Sequence, residues 1–197
     1  IGGAMAIPLA EFANHFASRA APLWQWQALC QARLVYGAQP VPAVVSNTIQ
    51  ELLATRTQAP HERQAIYDAR IALERGAAGL NLKRAPGGTL DIEFLVQGLQ
   101  LEHAHAAAAV LTPGTQRALA ALAQAGVLSA DDAQYFSESY RFLRRVESGL
   151  RLLNTPARHD LPEDDLSLDK LALLLGQPNG ATVRDRAIIT LAENRRR

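Results

Sequence analysis

Cysteine, aromatic residues and an excess of charge are what this 197-residue sequence has least of. Its one cysteine, Cys30, excludes an internal disulfide and fits a reducing, cytoplasmic compartment. With 20 basic and 19 acidic residues the net charge is +1, so no global field would attract nucleic acid or a membrane surface. No apolar run approaches the roughly 20 residues that span a bilayer. We therefore expect neither nucleic acid nor membrane as a partner.

What the sequence does contain is alanine and leucine in helical patterns. Apolar residues make up 48% of it while aromatic residues make up 6%, and Ala and Leu are strong helix formers. We predict an all-α fold, a multi-helix bundle of about nine helices. At most one short strand is expected, in the glycine-led opening "IGGAMAIPL". The predicted helical segments are 8–18, 22–37, 41–55, 61–76, 89–109, 114–126, 129–154, 167–176 and 182–197.

The segment 129–154 gives the clearest helical pattern. Ser129 is its predicted N-cap, and two aspartates follow in the first turn, where the helix dipole favours anions. Apolar residues recur every three or four positions, which predicts one face towards a core. These residues are Ala133, Phe136, Tyr140, Leu143, Val146, Leu150 and Leu153.

Asp91 and Glu93 lie two residues apart in "GGTLDIEF" and raise the question of a metal site. On a strand they would share a face and could share a metal ion, whereas a helix separates them by about 200°. Segment 89–105 is too long for a typical strand and lacks alternation, so we predict a helix. His103 and His105 diverge in the same way, and we predict no metal ligands.

On such a helix the two acids have separate roles. Asp91 falls in the first turn, near Thr89, and is predicted to cap the helix. Glu93 lies between two apolar flanks, so it either faces solvent or is partly buried and needs a partner. The predicted partners in a structural ion pair are Arg144 and Arg145, with Arg33 and Arg70 as further candidates.

The residues ahead of this helix offer a weak anion site. Lys83 and Arg84 precede Gly87 and Gly88, and glycine N–H groups at a helix start can approach a phosphate. No G-x-x-x-x-G-K-[ST] loop occurs. The residues alone leave two interpretations open, a nucleotide or phosphate contact and a plain glycine turn.

Several stretches together resemble the glutamine synthetase adenylyltransferases, also called glutamate-ammonia-ligase adenylyltransferases. "PGGTLDIEFLVQ" resembles the signature that follows the catalytic head in that family, and "GAMAIPLAEF" resembles the last strand and first helix after that head. "PLWQWQALCQARLVYG" resembles the W-x-x-Q-A-L-x-x-A-R helix, and "YRFLRRVESGLRLLN" with "HDLP" resembles the R-R-x-E helix and its turn. The likeness spans most of residues 2–162 and thins after about residue 165.

The resemblance implies a part of a multifunctional nucleotidyltransferase that regulates nitrogen metabolism. The whole enzyme transfers AMP from ATP to a tyrosine of glutamine synthetase, uses Mg²⁺, and removes the AMP by phosphorolysis. Its implied partners are glutamine synthetase, a P-II signalling protein and the nucleotidyltransferase head of the same chain. The head motif G-S-x-x-S-D-x-D is absent here. We therefore expect 1–20 to be the tail of a head with its linking helix and 21–197 a helical-bundle domain, inactive alone, with no catalytic residues and no cofactor of its own.

Other interpretations stay open at this point. The tryptophan helix and "PGGTLDIEF" favour the adenylylating half of the enzyme, while the R-R-x-E helix looks more like the de-adenylylating half. A non-catalytic regulatory module that binds P-II protein or glutamine synthetase is a second reading. The helical part of a P-II uridylyltransferase and an unrelated helical interaction domain are the others.

Overall fold

The computed structural model describes residues 6–18, 21–56, 59–77, 80–153 and 159–197. Within these ranges the chain forms nine α-helices and a short 3-10 turn, Ala108–Val110, which confirms the predicted all-α fold. Most of the segment proposed as an N-terminal strand lies outside the described residues. None of the helices in the described ranges combines the length and apolar character that a membrane span requires. The helices are α1 Leu9–Ala17, α2 Leu23–Cys30, α3 Val41–Thr55, α4 Pro60–Glu74, α5 Thr89–His103, α6 Thr115–Gln124, α7 Ala130–Leu153, α8 Asp165–Leu175 and α9 Gly180–Arg196.

Short polar side chains fix the starts of the last three helices. The Ser129 hydroxyl accepts the N–H of Asp132 at 3.0 Å, as the sequence predicts for the start of α7. Asp164 accepts the N–H of Ser167 at 2.8 Å ahead of α8, and Asn179 accepts that of Thr182 at 2.9 Å ahead of α9. These caps satisfy backbone donors that have no partner within the helix.

Two helices end earlier than their patterns predict. Helix α2 stops at Cys30 rather than Gly37, and beyond it Val35 and Tyr36 are 82% and 92% exposed, so helical packing gains nothing there. Helix α5 stops at His103, and the chain folds back over its last turns. The Gln100 amide holds this return by donating to the carbonyls of Val110 at 2.7 Å and Thr112 at 3.1 Å.

The chain divides into two compact units, of which the first comprises Ile1–Ile66 and Val96–Val127. Within it Phe16 meets Trp26 edge to face, with ring centroids 4.9 Å apart. The guanidinium of Arg56 lies 5.0 Å from the Trp26 ring centroid, a cation–π contact. Cys30 is 3% exposed in this cluster. The domain boundary predicted near residue 20 stays a prediction.

The second unit comprises Tyr67–Leu95 and Leu128–Arg197 and has its core among α7, α8 and α9. The α7 stripe predicted from sequence is buried at Ala133, Phe136, Leu143, Val146 and Leu150. Leu82 from the turn before α5 and Leu161 from the segment after α7 join the same core, so both irregular segments are anchored in it. The core residues are Leu82, Leu143, Val146, Leu150, Leu161, Leu168, Leu171, Ala172, Leu175, Val183, Ala187 and Leu191.

The environment of Cys30 predicts an inert thiol. Burial raises the pKa of the Cys30 thiol to about 12, although Arg56 nearby acts in the opposite direction. Because the thiolate is the nucleophile, we expect no reaction with a disulfide reagent at pH 8 in the native protein and one equivalent of reaction after denaturation in guanidinium. Absorbance of the released chromophore measures both. Rapid titration of one thiol in the native protein would contradict this assignment.

Candidate functional site

The turn between α4 and α5 is organised by Asn81. Its side-chain oxygen accepts the N–H groups of Lys83 at 3.1 Å and Arg84 at 2.7 Å, which is a typical Asx turn. Its amide nitrogen donates to Asp160 at 2.7 Å, and the two residues also form an isolated antiparallel bridge. Residues 80–82 are thereby tied to the segment that follows α7.

A buried arginine from α4 fills the inside of this turn. Arg70 is 5% exposed and donates to the carbonyls of Arg84 at 3.0 Å and Ala85 at 3.1 Å. Its guanidinium forms an ion pair with Asp91, whose carboxylate also accepts the N–H of Gly87. A buried guanidinium needs such compensation. Asp91 therefore lies in the first turn of α5, as predicted. Its carboxylate binds both the backbone N–H of Gly87 and the guanidinium of Arg70.

The two glycines of the turn allow close packing, Gly87 against α9 and Gly88 within the turn itself. Gly87 has φ +80°, and a Cβ there would fall on the backbone carbonyl of Leu191 in α9. Asn194, 7% exposed, donates from α9 to the Gly87 carbonyl at 2.7 Å. A Cβ on Gly88 would lie 2.7 Å from the Lys83 carbonyl oxygen. Close packing of backbone on backbone thus explains the glycine pair.

This geometry bears on the predicted phosphate contact. The N–H of Gly87 is bound by Asp91 and that of Gly88 by the Ala85 carbonyl at 2.8 Å, and both glycines are buried. A phosphate contact through these two N–H groups, as predicted from the sequence, has no support in this arrangement. Lys83 is half-buried and Arg84 exposed, so these two side chains are the accessible part of the predicted site.

The structure corrects the predicted ion pair of Glu93. The Glu93 carboxylate accepts the hydroxyl of Tyr140 at 2.7 Å. Arg144 pairs instead with Glu147 at 2.9 Å, and Arg145 donates to the Leu175 carbonyl at 2.9 Å. The α7 residue that faces Glu93 is thus four positions before Arg144. Asp91 and Glu93 bind different partners, as the helical geometry predicts.

Sequence reasoning missed the carboxylate of Glu147. It is fully buried on α7, with Arg144 Nη1 at 2.9 Å from one oxygen and His159 Nδ1 at 2.8 Å from the other. The His159 carbonyl accepts the N–H of Leu82 at 2.8 Å, so Glu147 positions the strand-like segment that pairs with the turn. The sequence did contain one signal of this burial, because Glu147 lies on the apolar stripe, one residue after Val146 and three before Leu150.

Gly87→Ala should be strongly destabilising because the substitution combines a left-handed backbone with overlap on α9. We expect a loss of about 2–4 kcal/mol in the free energy of unfolding, measured by urea denaturation. Gly176→Ala is the matched control, since Gly176 also has a positive φ (+65°) but open space around its Cβ position. It should lose only about 1 kcal/mol. Equal losses for the two variants would show that contact with α9 is unimportant.

Glu147→Gln should destabilise the protein more than Glu93→Gln. The first variant removes a buried charge bound by Arg144 and His159, and we expect a loss of about 1.5–3 kcal/mol. The second leaves an amide oxygen that still accepts the Tyr140 hydroxyl, and we expect less than about 1 kcal/mol. Thermal and urea unfolding would measure both. A larger loss for Glu93→Gln would mean that Glu93 carries a buried ion pair after all.

Comparison with known proteins agrees with this arrangement of motifs. A model of the family described as GlnD PII-uridylyltransferase matches residues 51–193. The bifunctional glutamine synthetase adenylyltransferase/adenylyl-removing enzyme of Streptomyces avermitilis is 35% identical over 165 residues, which are 80% of this chain and 16% of that protein. The enzyme of the same name from Xanthomonas oryzae pv. oryzae is 31% identical over 189 residues, 93% of this chain and 20% of that protein.

These relatives confirm the resemblance seen in the sequence motifs. A further relative with that name, from Stenotrophomonas maltophilia, is 30% identical over 92% of this chain. The chain spans about one fifth or less of the length of these curated relatives. The family match runs from α3 into α9 and covers well over half of the residues. The chain therefore belongs to the family of the bifunctional glutamine synthetase adenylyltransferase/adenylyl-removing enzymes, and its residues 51–193 match the family model described as GlnD PII-uridylyltransferase.

Proposed function

We propose that this chain is the helical-bundle part of an enzyme that adenylylates glutamine synthetase and removes the AMP again, regulating nitrogen assimilation. The observation that carries the proposal is the extent of the match. Relatives named for this pair of activities align over 80% and 93% of the chain. The alignments therefore extend well beyond the signature turn and its neighbouring helices.

Within that enzyme we assign AMP transfer to the nucleotidyltransferase head. The sequence lacks the G-S-x-x-S-D-x-D pattern, and the carboxylates of its signature are engaged, Asp91 by Arg70 and Gly87 and Glu93 by Tyr140. The two carboxylates bind different partners on different sides of α5, so they do not converge on one Mg²⁺ ion. We therefore place ATP and Mg²⁺ with the head, and we expect the chain alone to transfer no AMP.

The contribution of this chain is then mechanical and electrostatic. The turn at 81–91 is held by Asn81, Arg70 and Asn194, and its accessible edge at Lys83 and Arg84 would be the part that supports the head. Lys83 and Arg84 on that turn would offer positive charge to a nucleotide or to the surface of glutamine synthetase. Because the glycine N–H groups are engaged, the contact would be a point charge rather than a backbone cradle.

The proposed partners and the choice of half rest on the resemblance of the sequence motifs to the glutamine synthetase adenylyltransferases. The tryptophan helix and "PGGTLDIEF" favour the adenylylating half, and we assign the chain there. P-II protein and glutamine synthetase are the proposed partners of the whole enzyme.

The name of the matching family favours a second candidate, the helical part of a P-II uridylyltransferase. The two candidates differ in nucleotide donor and in protein acceptor. A purely regulatory bundle would instead bind P-II protein or glutamine synthetase directly, which calorimetry of the chain with each protein would detect.

A labelling assay separates these candidates. The protein that contains this chain together with its flanking coding sequence should transfer label from α-labelled ATP to a tyrosine of glutamine synthetase in the presence of Mg²⁺. The 197-residue chain alone should transfer none. Transfer from UTP to P-II protein would favour the uridylyltransferase. Absence of label on glutamine synthetase with the whole protein would end the main proposal.

Lys83→Ala in the whole enzyme tests the point-charge contact. We expect the KM for ATP or for glutamine synthetase to rise about two- to fivefold, the effect of one partly exposed charge pair. Lys170→Ala is the control, because Lys170 is the other lysine of the chain and lies exposed on α8. Steady-state kinetics would measure both. If Lys83→Ala leaves turnover and both KM values unchanged, the contact does not exist.

A further inference from the structure

Three arginines meet at a groove that runs beside α7, α9 and the end of α8. The groove has a volume of about 260 Å³, and its walls include Arg141, Arg145 and Arg186. Among the described residues that line it, Glu138 is the one carboxylate, so positive charge is in excess by two. We call this feature the arginine groove. It shares no residue with the 81–91 turn.

Two of the guanidinium groups are held in place by contacts that leave donors free. Arg145 uses one N–H to bind the Leu175 carbonyl at 2.9 Å. Arg186 stacks on the Phe142 ring, 4.2 Å from its centroid, which fixes the plane of the guanidinium while its edge stays available. A guanidinium has five N–H donors. Both groups are therefore pre-organised, which lowers the entropic cost of binding a ligand.

The third arginine completes a like-charge arrangement. Arg141 precedes Arg145 by one helical turn on α7, and like charges at that spacing destabilise a helix. Glu138, whose carboxylate also accepts the Gln134 amide at 3.0 Å, supplies one negative charge against the three arginines of the groove. An anion in the groove would relieve this repulsion. Repulsion among the arginines therefore favours the anion-bound state of the groove.

We propose that the arginine groove binds the phosphate group of a small ligand. The planar fork of arginine matches phosphate oxygens in pairs, and an excess of two positive charges suits a group that carries about −1.5 to −2 at neutral pH. The volume lies just below the range of roughly 300–1,000 Å³ typical of drug-sized pockets, which restricts the ligand to a small one.

An adjoining groove offers room for an organic part of the ligand. It has a volume of about 340 Å³ and shares Glu138, Phe142 and Arg186 with the arginine groove. Its other walls include Tyr135, Ser139 and Thr190, which provide an aromatic face and hydroxyl groups, and the carboxylate of Glu193, which suits the uncharged, hydroxyl-bearing part of a ligand rather than its phosphate. The chemistry of phosphate recognition is the same for free phosphate and for a phosphate monoester, and the second groove distinguishes them.

Titration of the 197-residue chain with inorganic phosphate and with AMP tests the proposal. Calorimetry and amide and arginine-side-chain NMR shifts should be recorded at constant ionic strength in a phosphate-free buffer, because exposed charges are screened by salt. We expect saturable binding that Arg141→Gln and Arg186→Gln each weaken about tenfold or more. Arg184→Gln is the matched control. It removes the same charge from α9, but Arg184 binds the Glu163 carbonyl at 3.0 Å instead of lining the groove, so affinity should not change.

The outcomes separate cleanly. Tighter binding of AMP than of phosphate, with shifts reaching Tyr135 and Thr190, supports a phosphate monoester, and equal binding supports free phosphate. Absence of saturable binding of either probe overturns the proposal. Equal weakening by Arg184→Gln, or binding that survives both groove variants with their folded circular dichroism spectra intact, overturns it as well. None of these results depends on adenylylation, so the proposed function is tested separately.

Discussion

The burial of the Arg70 guanidinium is the constraint on which the signature turn depends. A cation removed from water needs carboxylate and carbonyl oxygens around it, and the carbonyls of Arg84 and Ala85 together with Asp91 supply them. Asp91 is thereby committed to structure, and through the Gly87 N–H it determines the path of the backbone that α9 covers. The glycines of this motif serve close packing within the turn and between the turn and α9.

Local patterns predicted the helices well because their causes are local. Helix α3 spans Val41–Thr55, and α5 begins at Thr89, each where periodicity and punctuation in the sequence placed it. The end of α2 could not be read in the same way. The run from Gln31 to Gly37 has helical spacing, yet Val35 and Tyr36 have nothing to pack against, and a helix of that length depends on packing.

The features of the candidate site were likewise predictable only where their causes are local. The divergence of Asp91 and Glu93 follows from the pitch of a helix, which the sequence determines. The partner of Glu93 does not, because a helical projection gives a direction but neither the facing helix nor its register. Tyr140 rather than Arg144 or Arg145 therefore came only from the structure. Glu147 was hidden for a related reason, since a carboxylate on an apolar stripe reveals its burial only once the neighbouring segments are placed.

The hydrogen bond from Asn194 to the Gly87 carbonyl joins residues that are 107 positions apart. At a synthesis rate of about 5–20 residues per second, α9 leaves the ribosome roughly 5–20 s after the turn that it covers. During that interval the second unit is divided by the intervening residues 96–127, which belong to the other unit. The nascent signature turn is therefore not yet covered by α9 during this interval. Because α9 is synthesised after the rest of the second unit, it is the element that completes the packing of that unit.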